Sequence, residues 1–241
     1  MPVLVSADPS ADDLLLELSD PGRVEGHIRF VGERPPVVVV IAWPVVAGLE
    51  TQVAAEVVVR PDGSFAFERL AAGPHVIAVT AARGESRVGT ETHRVNVRAG
   101  QSIRLEPELQ LEGAELAVEV VGDGGEVPVA QIFLFRGAHE LATVGDVNRA
   151  VVYATGALGE MGWARHGRPA ILYAVPEGRH TLCGIPLPGD LKDPELRELI
   201  HPRRFDWPVH CQPLEVERGT AQLRLELELP APAPLSSVAR P

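Results

Sequence analysis

The sequence predicts an all-β protein: two tandem Greek-key β-sandwich domains, the second with a short helical insertion. Three observations predict it. Apolar and polar residues alternate at period 2 along much of the chain, as half-buried strands require. Gly 23 and Pro 22 in 241 residues supply turns at short intervals. A valine, a polar turn and then alternating leucines recur at Val5 (VSADPSADDLLLELSDPG), Val97 (VRAGQSIRLEPELQLEG) and Val216 (VERGTAQLRLELELPAP). These copies start about 90 and about 120 residues apart, each spacing the size of one β-sandwich.

Composition narrows the function classes. Hydrophobic content of 45% with 23% charged residues fits a soluble globular chain. A formal charge of -11 disfavours nucleic acid and anionic membranes, which both select basic surfaces. No apolar run approaches the ~20 residues of a membrane span. The start, MPVLVSADPSADD, lacks the basic and apolar regions of a signal peptide. Lys192 is the sole lysine and sits in a charged segment, so Lys–Asn isopeptide welds of two sandwiches have no nucleophile.

Taken in order, residues 1–20 read as the closing strand of an upstream repeat, or as an N-terminal extension lent to the first sandwich. Residues 21–112 form the first sandwich. GRVEGHIRF and PPVVVVIAWPVV are two strands, the second almost wholly apolar and therefore central. TQVAAEVVVRPDGSFAFERL reads as a hairpin about Pro61-Asp62-Gly63, with Phe65 and Phe67 pointing together into the core. Gly73 precedes another apolar strand, PHVIAVTA. Residues 113–230 form the second sandwich, through VEVVGDGGEVPVAQIFLF and ILYAVPEGRHTLCGI, with an insertion at 184–210. Within it Asp193 can cap a helix, Pro194 suits its first position, and Leu196, Leu199 and Ile200 share a face until Pro202 stops it. Residues 231–241 are a Pro/Ala-rich linker tail.

Gly22, Val24 and Gly26, followed by Asp62, Gly63, Phe65, Phe67, Leu70 and Gly73, resemble the carboxypeptidase regulatory-like domain, a transthyretin-like or Ig-like β-sandwich. The resemblance covers roughly residues 21–112. His75 stands where that family carries a tyrosine, and His180 holds the same place after Gly178. The D-G-x-F-x-F stretch has no clear counterpart in the second half. The resemblance implies structural, adhesive or docking modules, or accessories to a hydrolase, rather than catalysts.

Chemistry could hide at PVHCQP (208–213) and RHTLCGIP (179–186), which hold the only cysteines, Cys183 and Cys211. Zinc would need His180, Cys183, His210 and Cys211 to converge, but strand parity sends His210 and Cys211 to opposite faces, and His180 and Cys183 likewise. A catalytic cysteine would need a histidine within reach and a nucleophile signature, and HExxH, GxSxG, Walker and GxGxxG patterns are all missing. The reading is therefore no enzyme, no catalytic residue, no metal and no cofactor. A Cys183–Cys211 disulfide is expected, clasping the long insertion at a gain of roughly 3–4 kcal/mol. The family's strand pattern turns His180 and Leu182 inward, so Cys183 should face the outer side of its sheet and pin the inserted helix there.

The expected function is a non-catalytic structural or interaction segment of a bacterial cell-envelope or secreted protein, with a protein or glycan partner. The alternative is a carbohydrate-binding accessory module, with Trp163, Arg165 and His166 in a Gly-rich loop as its ligand contacts. A third reading is an intracellular scaffold with two reduced thiols. An extracytoplasmic location is favoured by the disulfide, and the missing signal peptide keeps a cytoplasmic one open.

Overall fold

A computed structural model describes residues 20–45, 55–83, 86–123, 127, 129–153, 158–165, 167–187 and 207–230. Most of the described residues are in strands, with one helix among them. The first half contains β1 (Gly22–His27), β2 (Arg29–Val31), β3 (Val37–Pro44), β4 (Ala55–Val58), β5 (Ser64–Leu70), β6 (Gly73–Arg83), β7 (Ser86–Val97), β8 (Ser102–Leu105) and β9 (Glu108–Gln110). The second contains β10 (Ala114–Asp123), β11 (Val129–Arg136), helix α1 (Val144–Tyr153), β12 (Leu158–Arg165), β13 (Ala170–Val175), β14 (Gly178–Leu187), β15 (His210–Val216) and β16 (Gln222–Pro230).

Each half is a sandwich built on one plan. In the first, β5-β1-β8 faces β7-β6-β3-β4; in the second, β13-β10-β16 faces β15-β14-β11-β12. The leucine-alternating segments close each sandwich by lying parallel to its first strand, β8 on β1 and β16 on β10. Strands β2 and β9 continue the first of these ladders in the same register, Arg29 opposite Glu108. The closing-strand place beside the first strand is thus filled in both sandwiches.

The inward faces form two cores. Val24, Val40, Phe65, Phe67, Leu70, Ile77 and Val79 make the first. Leu116, Ile132, Leu134, Leu172, Leu182 and Leu229 make the second. β3 lies between β4 and β6, as its apolar run predicts. Phe65 and Phe67 meet edge to face at 6.3 Å, both nearly fully buried. The glycines of the G-x-V-x-G stretch have a packing reason: a Cβ on Gly22 would stand 2.4 Å from Val97, and one on Gly26 2.3 Å from the Leu105 carbonyl.

Three sequence readings change. Residues 51–70 are not a hairpin. The turn exists, with Asp62 accepting from the Ser64 N–H and Gly63 at φ 89°. Yet β4 pairs with β3 and β5 with β1, so the chain crosses between sheets there. Both strands put their apolar faces on one core, and a crossover satisfies that as well as a hairpin does. Second, the described helix is α1, between β11 and β12, while the helix read at 193–201 lies outside the described residues. Third, Gly184–Leu187 continue β14. The missing counterpart of D-G-x-F-x-F is β13. Both strands carry a bulge at the same place, and Ala170, Leu172 and Val175 answer Phe65, Phe67 and Leu70.

Candidate functional site: the sheet junction and the disulfide-backed outer layer

The two sandwiches share one sheet. β12 lies antiparallel on β7, with Met161 opposite Arg87, and so the two four-stranded layers become a single eight-stranded sheet, β15-β14-β11-β12-β7-β6-β3-β4. The joint is reinforced across the sandwich: Ala174 of β13 is buried in the first core, with Tyr173 packed against it. Ala174 is the only non-glycine with positive φ among the described residues, at 55°. Beside it a Cβ on Gly113 would meet the Val175 carbonyl at 2.5 Å, so the link between sandwiches needs glycine. An open groove of about 370 Å³ runs along this joint, lined by Leu111, Gly113, Glu115, Tyr173, Ala174, Ala221 and Gln222.

The outer face of the second sandwich carries its own apolar layer. Phe133, Phe135, Cys183, Ile185 and Val209 meet Val147 of α1, with Trp163, Trp207 and Cys211 at the margin. Thr143 and Asp146 start the helix by a reciprocal capping box. The Asp146 N–H donates to Thr143 Oγ1 at 3.2 Å, and the Thr143 N–H donates to Asp146 Oδ2 at 2.9 Å. The Thr143 hydroxyl, donating to Asp146 Oδ2 at 2.9 Å, lowers the Asp146 carboxyl to about 2, helped by the Ala142 N–H, Arg149 and the Thr143 N–H. The T-x-x-D of 143–146 followed by apolar residues is a legible signal that the sequence reading missed.

Cys183 and Cys211 are disulfide-bonded, directly opposite across β14 and β15 with Cα atoms 4.1 Å apart. That spacing is typical of a non-hydrogen-bonded antiparallel pair. The bridge lies in the outer layer, as the register predicts, but within the described residues the helix above it is α1. Joined in this bond, neither sulfur carries a thiolate.

His180 follows Leu182 inward and is 3% exposed; His75 is 2% exposed in the first sandwich. His75 Nδ1 donates to the Gly73 carbonyl at 3.1 Å and His180 Nε2 to the Pro176 carbonyl at 2.8 Å. Burial pushes both imidazoles below their ordinary value, outweighing those carbonyl bonds. The other ring nitrogen of each has no hydrogen-bond partner. No group of three metal-ligating side chains gathers among the described residues.

Of the sequence-predicted ligand contacts, Trp163 is half-buried on the outer face and the Arg165 guanidinium sits 5.9 Å from its ring centre. His166 lies outside the described residues. Arg165 and Arg168 close the turn after β12 by mutual backbone bonds, with Gly167 at φ 74°.

No protein-family model and no curated protein matches the chain. Among solved structures, it is similar to the minor pilin GBS52 of Streptococcus agalactiae, at 13% identity and a TM-score of 0.31, over 88% of this chain and 98% of that one. It is also similar to the shaft pilin SpaA of Lactobacillus rhamnosus GG, at 8% identity and TM-score 0.28, over 86% and 97%. The Bacillus anthracis TIE protein matches at 12% identity and TM-score 0.30 over 88% of this chain, which spans 34% of that protein's length. Likenesses this distant carry no weight for function.

Proposed function

We propose that this chain is a non-catalytic structural and interaction segment of a bacterial cell-envelope or secreted protein. Its sandwiches are rigid units at 21–112 and 113–230, of the carboxypeptidase regulatory-like kind, with residues 1–20 as the closing strand of a preceding unit. The observation that carries the reading is the β7–β12 junction, because two sandwiches sharing a sheet hold a fixed orientation and transmit load through backbone hydrogen bonds. The Cys183–Cys211 bridge supports an oxidising compartment. The test is thiol trapping in the cells that make the protein, by alkylation before and after reduction. The reading expects both thiols to be blocked until reduction, and free Cys183 and Cys211 in intact cells overturn it.

A glycan ligand is the second reading, favoured by the Arg165–Trp163 stack on the outer face. It requires polysaccharide retention in an affinity gel that Trp163→Ala abolishes. Retention unchanged by Trp163→Ala, or none at all, ends it.

A further inference from the structure

The two ends of the eight-stranded sheet are built differently. At the β15 end, the outward backbone groups of Trp207 and Val209 are already used. Val209 N–H donates to the Ala142 carbonyl at 3.0 Å and Val144 N–H to the Trp207 carbonyl at 2.9 Å, so residues 142–144 cap the strand as it enters β15. Cys183–Cys211 is a non-hydrogen-bonded rung, and so Cys211 and Pro213 turn their backbone groups away from β14. Proline there has no N–H to offer an added strand.

The β4 end is the reverse. Val59 N–H donates to the Val38 carbonyl at 2.9 Å directly across the ladder. By alternation Val57 also faces β3, while the N–H and C=O of Glu56 and Val58 point away from it. Among the described residues no strand pairs with that edge. Val58 is 67% exposed, and β4 carries neither proline nor lysine.

The corresponding edge of the second sandwich is not open. Aligning the sandwiches on Gly73 and Gly178 places β4 on β12, with Glu56 at Met161 and Val58 at Trp163. Met161 is the residue that pairs with Arg87 of β7. The outward residue of a β4-type strand therefore already makes this contact once in the molecule.

We infer that Glu56 and Val58 on the β4 edge receive the β7-type edge strand of a further β-sandwich preceding this one. The sheet then grows in one direction, each sandwich laying its β4-type strand on the β7-type strand of the one before. A further sandwich is favoured over a second copy as the donor, since this chain's β7 is paired with its own β12 and its β15 is capped at Trp207 and Val209 and interrupted by Pro213. The inference rests on the reading of residues 1–20 as a closing strand, because both closing-strand places here are taken by β8 with β9 and by β16. A sandwich ending in that strand would stand immediately before β1, as the first sandwich stands before β10.

The test is an extended chain in which residues 21–96 are repeated ahead of Val5, so that residues 5–20 close the added sandwich. Backbone amide exchange is followed residue by residue. The expected result is a protected added sandwich, with Glu56 and Val58 amides slowed about tenfold or more relative to the unextended chain. An added sandwich that folds without slowing those two amides overturns the docking inference and leaves the closing-strand reading intact. An added sandwich that does not fold overturns both. Val58→Pro in the extended chain removes one outward donor and should restore fast exchange at Glu56, while Val57 stays protected by β3. Glu56 remaining slow in that variant also overturns the inference.

Discussion

Ala78 and Thr92 face each other across β6 and β7 on the rung that Cys183 and Cys211 occupy across β14 and β15. Both rungs lie five residues past the glycine that opens the strand, Gly73 or Gly178, and Ala78 and Thr92 are each 2% exposed. The second sandwich closes its rung covalently and the first does not. The double substitution Ala78→Cys with Thr92→Cys should therefore form a second disulfide without reshaping the sheet. Closing so short a loop should stabilise by about 3 kcal/mol. Intact-mass analysis and urea melts with and without reductant measure it. Two free thiols after oxidative refolding would show the rungs to be inequivalent.

Removing the native bridge by Cys183→Ala with Cys211→Ala should cost roughly 3–4 kcal/mol on the chain-entropy model. Because the bridge lies beneath α1, the helix amides should exchange faster before the strands of the first core do. Exchange that rises equally in both sandwiches would mean that the bridge does not act locally.

His75 and His180 make stability depend on pH. Burial lowers both folded-state values from 6.5, chiefly by desolvation, with Arg136 adding to the effect at His180 and Glu215 opposing it. The unfolded chain then binds protons first as pH falls, and stability declines from about pH 6.5 downward. Asp146, held near 2, acts in a separate window, below the ordinary carboxylate value of 3.8. Urea melts between pH 7.5 and pH 5 should show the decline in the wild type and flatten in a His75→Phe, His180→Phe variant. An unchanged slope in that variant would assign the acid sensitivity elsewhere.

Thr143→Ala removes one half of the capping box and leaves the Asp146 N–H without its partner. A loss of about 1 kcal/mol is expected, with faster exchange in the first turn of α1. Melts matching the wild type within about 0.3 kcal/mol would count against the cap as a stabilising element.

Ala174 stands in a left-handed conformation at the joint between the sandwiches. Ala174→Gly trades relief of about 1–2 kcal/mol of backbone strain against about 0.8 kcal/mol of lost methyl burial. It should stay within about 1 kcal/mol of the wild type. Ala174→Val combines a β-branched residue at positive φ with overpacking in the first core, and should cost about 2 kcal/mol or more. Equal stabilities of the two variants would show that neither constraint operates.

The sequence by itself determined the strands, the inward faces and the disulfide. Period-2 alternation decides which side of a strand meets water, and the phase counted from Gly178 sets Leu182 inward and Cys183 outward without reference to any distant residue. It also showed the leucine-alternating segments after Val97 and Val216 as copies of one element, and both lie parallel to the first strand of their sandwich. Partner choice was not legible. Nothing local to β4 and β5 says that they enter different sheets, since either arrangement buries the same side chains. The position of α1 was written in Thr143 and Asp146, but a capping box is short and easily passed over between two strands. The β7–β12 joint, the strain at Ala174, the capped edge at β15 and the open one at β4 were decided only by tertiary structure. Which edge is free depends on how every other strand has found its partner, and backbone hydrogen bonds, unlike side chains, leave no trace in the sequence.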